Sequence, residues 1–214
     1  MRLVSTYYED HYPFDTFNLF NSFLASNNPG ILQQGDVLLV WGGRDIPPQY
    51  YGRSHSRFSG AAEVPTTRDT IEWNMMQRAK ELKIPIIGVC RGAQMLCALA
   101  GGHLMQHISG HAGPNHTIVT PDGKEYWVNS LHHQMMVPGP AAHEILGQVP
   151  VDNLRSKVYI DEHQEVDHKQ EPEMVWFNDV NGLAIQWHPE MQDHKALATL
   201  YIKDVIKERI IEDH

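Results

Sequence analysis

Two hydrophobic rhythms divide this chain. Short, mainly apolar runs lie at residues 3–6, 37–40, 84–87 and 182–187. Runs of that length and aliphatic content predict buried strands. Between and after them the apolar positions space out, predicting helices at residues 16–26, 69–82, 93–100 and 195–211. In the last of these, Leu197, Tyr201 and Val205 recur at intervals of four, and Ile202, Ile206 and Ile210 form a neighbouring row. So broad an apolar stripe predicts packing on a sheet, with a subunit interface as the lesser reading. Strands alternating with helices predict an α/β fold, an open, mostly parallel sheet with helices on both faces. Ligands of such sheets bind beyond the strands' carboxyl ends.

Composition narrows this picture in three ways. The 214 residues are 42% hydrophobic, enough for one core, so residues 1–214 are expected to form a single domain. The net charge of −9, with basic residues scattered, argues against nucleic acid as the main partner. No run of 18 apolar residues predicts a membrane span, and the first residues lack the apolar stretch of a signal peptide. Cys90 and Cys97, if on one helix, would stand ~10 Å apart along its axis, too far to bridge. A reducing, cytoplasmic setting is the expectation.

The chemistry begins where the strand at 84–87 ends. Gly88-Val89-Cys90-Arg91-Gly92 follows it directly, and a helix is predicted just beyond. A cysteine flanked by glycines at i−2 and i+2, between strand and helix, fits a nucleophile elbow. Glycine suits both places because side chains there would collide in so tight a turn. The elbow exposes the sulfur at a helix N-terminus, where backbone N–H groups and the helix dipole favour negative charge. A second segment, Gly182 to Glu190, reads as a strand delivering His188, stopped by Pro189. In extended chain i and i+2 point the same way, so Glu190 can hold the His188 imidazole as a general base requires. Cys90, His188 and Glu190 are thus the candidate catalytic residues.

These two segments together resemble the class I glutamine amidotransferase superfamily, with its G-x-C-x-G elbow and late H-P-E. The closer likeness is to the γ-glutamyl hydrolase branch, of the γ-glutamyl-GABA hydrolase type. Trp41-Gly42-Gly43 is similar to that family's P-G-G, with tryptophan in place of proline. Asp45 to Gly52 resembles D-x-x-P-x-x-Y-G, and Arg68-Asp69 with Glu72 resembles R-D-x-x-E. Cys90 to Gln94 matches C-R-G-x-Q, Gly101 to Gln106 looks like G-G-T-L-x-Q, and Asn129 to Gln134 matches N-S-x-H-H-Q. The likeness spans roughly positions 36 to 191.

The resemblance implies a flavodoxin-like sheet with residues 104–108 on a strand. It also implies cysteine-dependent hydrolysis of γ-glutamyl amides through a thioester, with a glutaminase subunit feeding a separate synthetase or amide ligase as the alternative. It assigns an oxyanion hole to the backbone N–H groups of Gly43 and Arg91, with Gly42 allowing close approach. It assigns the glutamyl end of the substrate to Gln94, His132, His133 and Gln134. The partners expected are a small γ-glutamyl substrate, with a synthetase in trans or a second copy of the chain as protein partners.

Two stretches depart from the pattern. Only about 35 residues precede Val37, so one sheet edge is expected to be trimmed. Residues 149–173, rich in Asp, Glu, His and Gln, read as a surface excursion. The 14 histidines include His103, His107 and His111 at i, i+4 and i+8, but nearby glycines argue against a helix there. No C-x-x-C or H-E-x-x-H accompanies them, so neither metal nor cofactor is expected.

Overall fold

The computed structural model describes residues 1–6 and 14–212. Its strands are β1 (Arg2–Ser5), β2 (Ser22–Ala25), β3 (Asp36–Val40), β4 (Ile86–Val89), β5 (His103–Met105), β6 (His107–Ile108), β7 (His116–Val119), β8 (Glu125–Val128), β9 (Met135–Val137), β10 (His143–Gln148), β11 (Tyr159–Asp161), β12 (Gln164–Glu165), β13 (Pro172–Phe177) and β14 (Gly182–Ile185). The helices are α1 (Thr67–Leu82), α2 (Arg91–Leu99) and α3 (Leu197–Ile206). Among the described residues, nine strands join in the order β2-β1-β3-β4-β14-β13-β10-β7-β8. From β2 to β14 every pairing is parallel. From β14 outward to β8 every pairing is antiparallel. The sheet is therefore mixed, a parallel half continued by an antiparallel half.

Alternation along the strands makes two cores. Leu38, Val40 and Ile86 face one side and pack with Met75, Met76 and Ala79 of α1 and with α2. Val37, Leu39 and Ile87 face the other and pack with Ala198, Ile202, Val205 and Ile206 of α3. Helices thus cover both faces, as expected. α1 starts where Thr66 and Asp69 cap it reciprocally. The Thr66 hydroxyl accepts from Asp69 N at 3.2 Å, and the Asp69 carboxylate accepts from Thr66 N at 2.8 Å. In α3 the row Ile202, Ile206 and Ile210 is buried, while Leu197 is exposed. The last turns, Lys207–Glu212, widen into a π-helix. Among the described residues no helix is long and apolar enough to cross a membrane.

Several expectations need correction. Residues 16–26 are not a helix but part of a 3-10 turn, Phe14–Phe17, followed by the edge strand β2. Phe17 and Phe20 are buried, while β2 itself is largely exposed and held by parallel pairing to β1. The open edge of β1 overrides local helical spacing, and the sheet edge is not trimmed. Residues 104–108 are not one strand. The chain breaks at buried Gln106, whose amide accepts from Ser56 N at 3.1 Å and donates to Ser54 O at 2.8 Å. β5 then pairs with β9, and β6 with β11. Residues 149–173 are only partly a surface excursion. Tyr159 and Ile160 are buried, and Glu171 and Glu173 are buried carboxylates at the entry to β13.

Candidate active site

Cys90 alone makes the turn between β4 and α2. Its backbone lies at φ +49°, ψ −105°. For a residue with a side chain such a conformation costs of order 1–3 kcal/mol and persists only when its surroundings impose it. They do so here. Cys90 N–H donates to Ile185 O at 2.7 Å. A Cβ on Gly88 would lie 2.5 Å from Gly92 O, so the turn itself demands glycine at i−2. A Cβ on Gly92 would lie 2.1 Å from Val40 O. That second requirement is long-range, because α2 begins against the end of β3.

Beyond β14 the chain runs through buried Gln186 and Trp187 to His188 and the 3-10 turn Pro189–Met191. His188 Nδ1 lies 2.7 Å from Glu190 Oε1. With Nδ1 engaged by a carboxylate, the other ring nitrogen is the one available to Cys90. Burial alone would push the His188 imidazole down. Interaction with Cys90 and with the Glu190 carboxylate outweighs it and raises His188 to about 10. Asn129 fixes the backbone at this point, donating to His188 O at 2.7 Å and accepting from His188 N at 2.8 Å.

Gly42 packs directly on this pair. A Cβ there would come 2.6 Å from His188 Cε1 and 3.4 Å from Cys90 Cβ. Arg68 Nη2 donates to Gly42 O at 2.7 Å. In a trans peptide the C=O and N–H point opposite ways, so anchoring Gly42 O turns the Gly43 N–H away from Arg68. Arg68 Nε in turn donates to Glu72 at 3.1 Å. Buried Arg91 reaches both Asp69 and Glu72 through its guanidinium. Two cations and two carboxylates thus neutralise one another beneath the Gly42-Gly43 turn, with the α1 capping residue Asp69 among them.

The remaining expected site residues separate. Gln94, one turn into α2, is buried, its amide 3.4 Å from both Gln134 O and Gln186 Oε1. Gln134 is buried and donates to Gln106 O at 3.3 Å. His132 and His133, adjacent in sequence, face opposite ways. His133 is half-buried, with Nε2 3.0 Å from Asp45 Oδ2, and that carboxylate raises its pKa despite burial. His132 is buried and turned to Glu173, with Nε2 3.2 Å from Glu173 Oε1. Arg68, Glu72, Asp45 and Asn129 were visible in sequence only as motif letters. Their signal was there in R-D-x-x-E, D-x-x-P-x-x-Y-G and N-S-x-H-H-Q, but the partners that give them a role lie elsewhere in the chain: Gly42 for Arg68, Arg91 for Glu72, His133 for Asp45 and His188 for Asn129.

The comparisons with known proteins follow this geometry. A protein of Schizosaccharomyces pombe, provisionally named a glutamine amidotransferase, is 27% identical over 72% of this chain, which covers 62% of that protein, less than two thirds of its length. The γ-glutamyl-γ-aminobutyrate hydrolase of Escherichia coli O157:H7 is 22% identical over 78% of this chain and 70% of its own. A solved structure from Thermoplasma acidophilum, provisionally named a GMP synthase subunit, superposes with a TM-score of 0.66 at 10% identity. It covers 100% of this chain and 95% of its own, and establishes likeness of fold. The peptidase C26 family matches residues 25–190, the stretch that carries Gly42, Cys90, His188 and Glu190. The chain belongs to the peptidase C26 family.

Proposed function

We propose that the protein hydrolyses γ-glutamyl amide bonds through a thioester on Cys90. One observation carries this reading. Cys90 is held in a strained elbow beside His188, whose Nδ1 meets Glu190 at 2.7 Å and whose pKa Cys90 and Glu190 together raise. Family membership and the 22%-identical γ-glutamyl-γ-aminobutyrate hydrolase support the choice of bond.

Each step uses a group already described. The Cys90 sulfur attacks the γ-carbonyl carbon as His188 carries the imidazolium proton. Gly43 N–H, aimed by the clamped Gly42 peptide, and Arg91 N–H at the start of α2 receive the developing oxyanion. One such donor contributes ~3 kcal/mol of transition-state stabilisation. His188 gives its proton to the leaving nitrogen, the C–N bond breaks and the γ-glutamyl thioester remains. Water then loses a proton to His188 and adds to the thioester, and collapse returns the Cys90 sulfur and free glutamate. Glu190 keeps the imidazole oriented throughout. Gln94, His133 and Gln134 are assigned to the glutamyl end, and His132 supports them from behind.

The fold neighbour provisionally named a GMP synthase subunit motivates a second reading, a glutaminase that passes ammonia to a synthetase in trans. One experiment separates the two. Purified protein is offered glutamine and a panel of γ-glutamyl amines, and glutamate release is measured with a Cys90→Ala control. Turnover of a γ-glutamyl amine above that of glutamine supports the stand-alone hydrolase. Turnover of glutamine alone, rising only when a synthetase is added, supports the second reading. Glutamate release that persists in Cys90→Ala overturns both.

A further inference from the structure

On the antiparallel side of the sheet, three histidines converge on one carboxylate that the chemistry above does not use. Glu173 Oε1 lies 3.2 Å from His111 Nδ1, 3.2 Å from His132 Nε2 and 3.3 Å from His116 Nε2. All four residues are buried, none more than 3% exposed. We propose that His111, His132 and Glu173 bind a divalent transition-metal ion, zinc by donor type, that pins the loop carrying His133 and Gln134 to the sheet.

The hydrogen bonds of the outer nitrogens argue first for it. His132 Nδ1 is 2.9 Å from Gln134 O, a carbonyl that only accepts, so Nδ1 carries a hydrogen. His111 Nε2 is 3.1 Å from Glu171 Oε2. The Glu171 carboxylate also receives Arg155 N, Ser156 N and the Tyr159 hydroxyl, donors that require it ionised. His111 Nε2 therefore carries a hydrogen too. The other nitrogen of each ring, His111 Nδ1 and His132 Nε2, faces Glu173 Oε1. A metal ion among them would take a lone pair from each nitrogen and displace any proton held there. An outer nitrogen donating to a carboxylate or a carbonyl is the arrangement that orients metal-bound histidine.

Geometry argues second. A tetrahedral ion with bonds of ~2.0–2.1 Å sets its ligand atoms ~3.3 Å apart, which matches the His111 and His132 separations from Glu173. Protons in place of a metal would need N–H groups aligned on the carboxylate. These nitrogens are at contact distance but out of line for hydrogen bonds, and Glu173 Oε2 is likewise without a partner. Two imidazoles and a carboxylate are a borderline donor set suited to zinc and its neighbours. A cleft of about 440 Å³ lies on this side of the sheet, and His116, the neighbour of the three ligands, lines it together with Trp127 and Arg155. The ligands come from the loop before β7, the loop before β9 and from β13, so one ion would join three chain segments.

The test reads metal rather than turnover, so its failure is distinct from failure of the hydrolase reading. Wild-type protein is stripped by dialysis against a strong chelator, then given zinc or cobalt chloride and passed through gel filtration. About one ion per chain is expected to remain, with the intense visible bands of tetrahedral cobalt and a rise in Tm of about 5 °C or more. His111→Ala and Glu173→Gln should each weaken retention at least ~10-fold. His194→Ala, at an exposed histidine, should leave it unchanged. Should the cluster variants fold poorly, the wild-type cobalt titration decides alone. No retained ion and an unmoved Tm in the wild type would overturn the proposal, as would full retention in a folded His111→Ala.

Discussion

The two halves of the sheet use buried charge differently. In the parallel half, Arg68, Asp69, Glu72 and Arg91 pair cation with anion under the Gly42-Gly43 turn, and the sum is neutral without help. In the antiparallel half, His111, His116 and His132 surround Glu173, with Glu171 behind, and the balance there depends on what lies among them. The first arrangement fixes a peptide beside the Cys90 sulfur. The second fixes the loop that carries the residues assigned to the substrate. On the proposed reading, Cys90 and His188 rest on a self-contained scaffold, whereas the loop assigned to the substrate rests on one that depends on a bound cation.

The largest effect should come from the parallel half. Cys90→Ala and His188→Ala are each expected to lower glutamate release by at least ~10³-fold, and the double variant little further, because the members of a catalytic unit are not additive. Steady-state rates with circular dichroism as a folding control check this. Additive losses would mean that the two residues act in separate steps.

Glu190→Gln should rank next, with a rate loss of ~10²-fold and a signature in pH. Glu190 helps to raise His188 to about 10. A raised pKa keeps the leaving-group proton in place up to that pH, so activity should fall only as pH rises through it. Removing the carboxylate lowers the proton affinity of His188, and the alkaline limb should move down by about one pH unit. An unmoved limb would show that Glu190 does not act through His188.

These two predictions rest on residues that the sequence displayed openly, and the reason is physical. An elbow needs glycine two residues to either side, and His188 and Glu190 are two residues apart, although a 3-10 turn beyond β14 rather than extended strand brings them together, so both arrangements are local. The helices at 69–82, 93–100 and 195–211 were legible to within a few residues from spacing alone. Residues 16–26 were misread because β2 is set by pairing with β1, a contact their own spacing does not encode. The His111, His132 and Glu173 meeting was invisible for the same reason. Its members lie on separate segments brought together by β13, and Glu173 looked like one more acid in a polar stretch. Gly92 shows both cases at once, expected from a local rule yet required by a clash with Val40.

Glu72→Gln sharpens the comparison through stability. It leaves Arg91 buried with one partner fewer, and breaking a buried ion pair costs ~3 kcal/mol. For a chain of this size that is a fall in Tm of about 6–12 °C. Thermal unfolding measures it. A fall under a degree or two would mean that Asp69 alone satisfies Arg91. Asn129→Ala tests the other half at its nearest approach to the reaction. Asn129 follows β8 and holds His188 through two backbone hydrogen bonds. Their loss should cut kcat ~10-fold with KM little changed, since the imidazole is misplaced while the glutamyl contacts stay. A rise in KM alone would assign Asn129 to substrate binding instead.

The smallest effect is expected at Cys97. It sits seven residues after Cys90, inside α2, yet its surroundings are opposite. Cys90 is at the helix N-terminus beside His188, whereas Cys97 is fully buried, with Sγ 3.6 Å from His103 O. Burial pushes the Cys97 thiol up to about 12, so it stays protonated and inert at any working pH. Cys97→Ala should therefore leave glutamate release within a factor of about two, at a stability cost of ~1 kcal/mol for the lost sulfur contacts. Alkylation of the native wild type followed by peptide mapping should label Cys90 alone, and a γ-glutamyl amide should protect it. Labelling of Cys97 at a comparable rate would show that α2 opens in solution, and the self-contained scaffold of the parallel half would have to be given up.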